Sequence, residues 1–207
     1  MHDLPLLIVC LTISAYWLRV GAMAHRARRR HGAHVGIVPE RASERAMWLV
    51  LVPIVVAWCV LPWIGLTRTQ GVFSVPGFAR EGVAYPTLRW VAALAGMACF
   101  VMTLQCWRTM GRHWRMDISD RNTTLLTDGP FARVRHPIYA YQIALMVATM
   151  IVLPDVPMLL VGLVHACAMN LKARNEEAHL ARMHGETYRR YVERTGRFLP
   201  RYAARQP

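Results

Sequence analysis

Two short stretches of this sequence hold residue types that can bind ligands or transfer protons. In the first, Arg135-His136-Pro137-Ile138-Tyr139, a proline stands where a helix would start. Proline suits that position because it lacks the N–H that would be unpaired there. His136 and Tyr139 would then stand about one turn apart and face one cavity. The stretch is consistent with a plain helix entry, or with a helix amino terminus that holds a carboxylate or ribose hydroxyl of a cofactor.

The second stretch is rich in charge and contains Lys172, Arg174, Glu176 and Glu177. Lys172 and Glu176 are four residues apart, so they share one face of a helix. One interpretation is a snorkelling cation in a solvated ion pair. The other is the charged lip of an intramembrane cavity, since ionisable groups near membrane depth are candidates for function. The spacing alone does not choose between them.

Long apolar segments separate and flank these stretches. Of the 207 residues, 55% are hydrophobic, above the share usual for a soluble domain. With roughly 20 apolar residues needed per spanning helix, the sequence predicts spans at 4–24, 47–66 and 88–107. A fourth apolar segment, 138–171, is interrupted by Pro154-Asp155-Val156-Pro157, which predicts a helical hairpin with short arms at 138–153 and 158–171. The predicted fold is therefore an all-α integral membrane protein with about five transmembrane helices; a re-entrant pair is the alternative for the last two.

The distribution of basic residues predicts the topology. Segments 25–45 and 108–135 carry six arginines each and the tail from Lys172 carries nine basic residues, whereas 67–86 carries two and the hairpin turn none. The positive-inside rule then places the amino terminus outside and the carboxy terminus in the cytoplasm, in a bacterial inner membrane. Residues 1–107 would hold three spans and the basic loop 25–45, and residues 108–207 the functional core. Nucleic-acid binding is not expected, because the basic residues alternate with apolar spans instead of covering a soluble core.

Metal binding is not predicted. The five cysteines lie in apolar segments without CxxC spacing, so neither a disulfide framework nor a zinc site is indicated. His25, His31 and His34 stand among arginines and lack the carboxylates or thiolates that usually complete a metal site.

Between residues 110 and 200 the sequence resembles the membrane methyltransferases related to isoprenylcysteine carboxyl methyltransferase and their phospholipid N-methyltransferase relatives. The resemblance is carried by the order and spacing of short motifs around the hairpin. These are Gly111-Arg112-His113-Trp114, Leu126-Thr127-Asp128-Gly129-Pro130-Phe131, Arg135-His136-Pro137-Ile138-Tyr139, Glu176-Glu177, Gly185, Tyr188, Tyr191 and Arg197-Phe198-Leu199-Pro200.

The resemblance implies a cytoplasmic pocket for S-adenosylmethionine. The residues implied to bind this cofactor are Leu125, Leu126, Phe131, His136, Pro137, Ile138, Tyr139 and Glu176. Those implied to act on the acceptor are Lys172, Arg174 and Glu177. Lys172 stands where the family commonly has an arginine that meets the substrate carboxylate, a role that Arg174 is also placed to fill. Thr123 stands where a histidine is frequent.

The acceptor implied is a lipid or prenylated small molecule that enters from the bilayer, with O-methylation of an isoprenylcysteine-type carboxylate. Phospholipid or amine N-methylation is an alternative, and it would require Glu176 or Glu177 as a general base. A nicotinamide-dependent membrane lipid reductase and a noncatalytic membrane module are the other hypotheses. The sequence does not indicate which oligomeric state the protein adopts.

Overall fold

Five helices account for most of the protein, whose computed structural model describes residues 3–31, 42–68, 70–77, 82–111 and 125–201. The helices are α1 (Leu4–His31), α2 (Ala42–Gly65), α3 (Tyr85–Met110), α4 (Pro137–Val152) and α5 (Val156–Arg194). Short 3₁₀ turns lie at Gly71–Phe73 and Gly129–Ala132. The described residues form no strand beyond one isolated bridge between Val134 and Gly196.

The helices have the length and composition expected of membrane spans. Four of the five, α1, α2, α3 and α5, are long and apolar enough to cross a bilayer, while α4 is a shorter apolar helix. At 1.5 Å per residue, the 16 residues of α4 extend about 24 Å, which is less than a typical hydrocarbon core. The predicted all-α membrane fold is confirmed, and α4 has the short length expected of the first hairpin arm.

The hairpin turn lies where the two prolines predicted it. Helix α4 ends at Val152, and Asp155 caps α5 by accepting a hydrogen bond from the Met158 N–H at 2.8 Å. The prediction of a short second arm ending at residue 171 is wrong, because α5 continues through the charged sequence to Arg194. Its 39 residues would extend about 58 Å if straight. Its charged half, residues 172–194, therefore projects beyond the membrane. Gly185, with φ of 50°, interrupts it.

The starts of α1, α3 and α5 and the ends of α2 and α4 lie at the same end of the bundle. Asp3, just before α1, pairs with Arg89 in the first turns of α3. Arg89 Nε also donates to the carbonyl of Val152, the last residue of α4, at 3.1 Å. Gly65, at the end of α2, packs against Leu153 in the hairpin turn. Successive helices therefore run in opposite directions, and the start of α4, with His136, lies at the opposite end.

The core is formed mainly by α1 to α4 and is closed by the hairpin. The indole Nε1 of buried Trp58 donates to Thr149 Oγ1 at 3.1 Å, a contact between helices that contributes about 0.6 kcal/mol in a bilayer. Large apolar side chains such as Leu18, Leu49 and Leu163 are exposed on the outside. In lipid this arrangement is favourable, since helices associate there through packing and polar contacts.

Candidate active site

The start of α4 is joined to the segment that follows α5. The backbone N–H of Arg135 donates to the Gly196 carbonyl at 2.8 Å, and that of His136 to the Arg197 carbonyl at 3.1 Å. His136 immediately precedes the helix and Pro137 occupies its first turn, as the sequence predicted. The carboxy-terminal segment 195–200 thus lies beside His136 and fixes its position.

His136 contacts both glutamates of the second stretch. Its Nδ1 lies 3.5 Å from Glu176 Oε2, and its Nε2 lies 3.4 Å from Glu177 Oε1. The Tyr139 ring stacks on the imidazole with a centroid distance of 5.4 Å and an interplanar angle of 2°. The Tyr139 hydroxyl donates to Glu176. The hairpin therefore brings together three predicted cofactor residues that are separated by up to 40 positions in sequence.

Glu177 is held by two arginines. Arg135 Nε donates to its Oε1 at 2.9 Å, and Arg197 Nε donates to Oε1 and Oε2 at 3.0 and 3.1 Å. Arg197 also reaches Asn170 Oδ1 at 3.3 Å. This pairing engages both oxygens of the carboxylate and ties the start of α4, the middle of α5 and the carboxy-terminal segment to one another.

The charged residues around His136 and the Glu176-Glu177 pair form one cluster, which lies outside the apolar parts of the helices. Their charges shift one another's pKa values. Burial by itself would lower the pKa of His136, but the two glutamates outweigh it, so the pKa is raised. Burial would raise the pKa of Glu177, yet His136, Arg197 and Arg135 hold it well below its usual range. The pKa of Glu176 is likewise lowered, because His136, Lys172 and Tyr139 together offset its burial. The cluster therefore favours one imidazolium between two carboxylates.

The two basic residues predicted to act on the acceptor differ in placement. Lys172 Nζ lies 3.9 Å from Glu176 Oε1, so its charge stands next to the cluster. Arg174 is exposed. It is two positions from Lys172, about 200° around the helix, so it faces away from the glutamate that Lys172 contacts.

The apolar residues predicted to line the pocket are described with different degrees of burial. Phe131 and Pro137 are buried, whereas Leu125, Leu126 and Ile138 are half-buried. Phe131 is fixed through its carbonyl, which accepts a hydrogen bond from the Tyr191 hydroxyl at 2.7 Å. Three motif residues, Arg112, His113 and Trp114, lie outside the described residues, as does Thr123.

Arg135 and Arg197 were not among the predicted site residues, although both belong to the quoted motifs. They stand 42 and 20 positions from Glu177, the carboxylate they hold. The signal available in the sequence was the adjacency of Glu176 and Glu177, because neighbouring carboxylates near a membrane need cations close by. It did not indicate which of the 25 basic residues supplies them.

Part of the chain matches a known protein family. Residues 88–187 match the family model described as phospholipid methyltransferase. No curated protein matches the chain. The matched segment begins in α3 and includes His136, Tyr139 and the Glu176-Glu177 pair, so it contains the centre of the cluster. The match relates this segment to the phospholipid methyltransferase family, which includes the relatives of isoprenylcysteine carboxyl methyltransferase, and it supports membrane methyltransferase activity in general.

Proposed function

We propose that this protein methylates the carboxylate of an amphipathic, isoprenylcysteine-type acceptor with S-adenosylmethionine as the methyl donor. The observation that supports this most directly is the contact of His136 and Tyr139 with Glu176, next to Lys172, at one end of the helical bundle. A polar donor and an amphipathic acceptor would meet there, one from water and the other from the bilayer.

The residues of the cluster fit a polar cofactor. Tyr188 Oη is buried, and within the described ranges it has no hydrogen-bond partner. His136 Nε2 is also buried and meets Glu177 without hydrogen-bond geometry. Buried polar atoms of this kind are usually satisfied by a ligand or ordered water. We propose that His136, Tyr139 and Glu176 hold the cofactor, over an apolar wall that includes Phe131.

When bound, S-adenosylmethionine supplies a methyl group carried on a positively charged sulfur. A nucleophile would attack the methyl carbon directly, and the sulfur would leave as a neutral thioether. The protein's task is then to position the acceptor and exclude water. An acceptor carboxylate is ionised at pH 7 and needs no base. Its charge and that of the sulfonium cancel during transfer, a change that a water-poor site favours.

The protonation of the cluster favours a carboxylate over an amine. An ammonium acceptor must lose a proton before it can attack, so it needs a base whose pKa lies near the working pH. Glu177 is paired with two arginines and its pKa is depressed, while the pKa of His136 is raised. Glu177 is therefore a poor base at neutral pH, and the contacts of His136 with both glutamates favour its protonated form. In this proposal Glu177 acts as a positioning residue.

Lys172 is the proposed contact for the acceptor carboxylate. Its ammonium group lies at the edge of the cluster, on the same helix face as Glu176. A lysine is a compact point charge, whereas an arginine binds a carboxylate in a bidentate manner. With Lys172 in the place of the family's arginine, recognition would rest more on charge than on a fixed geometry. Arg174 is a less favoured candidate because it faces away.

Methylation of a phospholipid amine is the second candidate function. It is favoured by the description of the matched family, phospholipid methyltransferase. Glu176 would then be the base, and His136, which its Oε2 contacts, would relay the proton. The family match also favours either methyl transfer over the nicotinamide-dependent reduction and the noncatalytic role considered above.

We further propose that the cluster faces the cytoplasm of a bacterial inner membrane and that the amino terminus lies outside. The five described helices alternate in direction, which supports five crossings and termini on opposite sides of the membrane. The described ends of α1 and α3 and the charged half of α5 all carry arginines near the end of the bundle that holds His136. Under the positive-inside rule, that is the cytoplasmic end.

The test is a methyl-transfer assay in proteoliposomes with labelled S-adenosylmethionine. The acceptors are an amine-blocked S-farnesylcysteine, its carboxamide, and phosphatidylethanolamine. The proposal predicts labelled methyl ester from the first acceptor alone, and at least 100-fold less product from Glu176→Gln, as expected from the loss of a charged contact of about 3 kcal/mol. Labelled phosphatidylethanolamine without methyl ester would favour the second function. No transfer to any acceptor by the wild type would contradict the proposed acceptor class.

A further inference from the structure

Two tyrosines in the charged half of α5, Tyr188 and Tyr191, are almost equally buried but differ in hydrogen bonding. The two residues are 4% and 5% exposed. The Tyr191 hydroxyl donates to the Phe131 carbonyl at 2.7 Å. The Tyr188 hydroxyl has no hydrogen-bond partner in the part of the chain that the structure describes. Burying a hydroxyl without a hydrogen-bond partner destabilises the folded protein, so this group is unfavourable unless something binds it.

The charges of the cluster act on the Tyr188 hydroxyl. Its ring is 6.1 Å from that of Tyr191, which holds the turn carrying Phe131. Burial is the main reason that the pKa of Tyr188 is raised, and the opposite charges of Glu177 and Arg135 also act on it. The charged oxygens and nitrogens nearby are already occupied, since Glu177 is bound by Arg135 and Arg197.

We infer that the Tyr188 hydroxyl forms a hydrogen bond with a polar group of the bound methyl donor. A phenol both donates and accepts, so it suits the hydroxyl, carboxylate or ring-nitrogen groups of a nucleoside-containing cofactor. This inference rests on the proposed use of S-adenosylmethionine. It adds Tyr188 to His136, Tyr139 and Glu176 as a residue that binds the cofactor, whereas Tyr191 supports the pocket wall.

The experiment compares three Tyr→Phe variants in detergent, each measured for thermal unfolding without ligand and for S-adenosylhomocysteine binding by calorimetry. Tyr188→Phe removes the unpaired hydroxyl, and Tyr191→Phe removes a paired one. Tyr85→Phe removes a hydroxyl at the other end of the bundle, where it donates to Ile151 at 3.3 Å. This third variant is the binding control, because it is remote from the cluster.

Tyr188→Phe is expected to keep or raise the ligand-free Tm, since it removes a buried unpaired group, and to weaken S-adenosylhomocysteine binding about 10-fold. Tyr191→Phe is expected to lower the ligand-free Tm by about 2–4 °C, because it breaks a made hydrogen bond. Tyr85→Phe should bind like the wild type.

Wild-type affinity in Tyr188→Phe would overturn the inference while leaving the proposed cofactor intact. A fall in its ligand-free Tm equal to that of Tyr191→Phe would also overturn it, since the hydroxyl would then be paired within the protein. If the wild type itself did not bind S-adenosylhomocysteine, the inference and the proposed cofactor would fail together.

Discussion

Replacing Glu177 with glutamine tests the connection between α5, the start of α4 and the carboxy-terminal segment. Glutamine keeps the volume of glutamate but removes the charge that Arg135 and Arg197 share. The variant retains two cations that face each other across a neutral amide. We therefore expect it to be less stable and to hold His136 less firmly.

The magnitude follows from the burial of the partners. The side chains of Glu177 and Arg135 are 15% and 10% exposed, and that of Arg197 is 31% exposed. Breaking a fully buried ion pair costs about 3–5 kcal/mol, and partial exposure of Arg197 places this case near the lower limit, at about 3 kcal/mol. For a protein of this size that corresponds to a fall in Tm of roughly 6–12 °C.

Glu186→Gln is the matched control. Glu186 also contacts two arginines, with Arg189 and Arg190 each 3.5 Å away, but its side chain is 59% exposed. Surface pairs of this kind contribute about 0–1 kcal/mol. Its Tm should therefore change by less than about 4 °C in the same detergent.

Thermal unfolding of both variants and the wild type, followed by tryptophan fluorescence at one heating rate, gives the comparison. Equal shifts for Glu177→Gln and Glu186→Gln would show that the buried and the exposed carboxylates contribute equally to stability, contrary to this prediction. A second readout is S-adenosylhomocysteine affinity, which should fall in Glu177→Gln and stay at the wild-type level in Glu186→Gln.

Three further predictions concern other parts of the site. The pKa of His136 is raised above 6.5 in the folded protein, so its contribution to stability is full below pH 6.5 and is lost as the pH rises through the folded value. The Tm difference between the wild type and His136→Gln should therefore shrink from pH 6 to pH 9. A difference that grows with pH would contradict this prediction. Gly196→Ala should destabilise the protein by about 1–3 kcal/mol, since a Cβ there would lie 1.8 Å from the Leu199 carbonyl oxygen, whereas Gly21→Ala, with open space around it, should not; equal melting curves would exclude the close contact. Lys172→Gln should raise KM for a carboxylate acceptor about 10- to 100-fold with a smaller change in kcat, and steady-state kinetics with an unchanged KM would remove Lys172 from acceptor binding.

Much of the fold could be predicted because lipid imposes simple rules. Span length and the two prolines of the hairpin turn are local properties of the sequence, and they predicted the helices and the turn. The end of α5 was predicted wrongly because hydropathy falls sharply after Leu171 while helix propensity does not. Apolar composition marks where a helix leaves the membrane, but α5 continues past that point, is interrupted at Gly185 and ends before Thr195, whose backbone is extended.

The site was only partly predictable for a different reason. His136, Tyr139 and Glu176 stand in motifs, and the hairpin predicts that the motifs meet. The pairing of Glu177 with Arg135 and Arg197 depends on where segment 195–200 returns, and no periodic pattern encodes that path. Tyr188 and Tyr191 are similar in sequence context, yet their hydroxyls differ in bonding because a shift of three positions on a helix changes the partner each one faces.

Calorimetric titration of the detergent-purified protein with S-adenosylhomocysteine and, separately, with NADPH tests the central claim most directly, with His136→Ala and Glu176→Ala as the variants. The wild type is expected to bind S-adenosylhomocysteine and not NADPH, and both variants are expected to lose this binding while still folding. Binding of NADPH instead, or S-adenosylhomocysteine binding that survives in both variants, would contradict it.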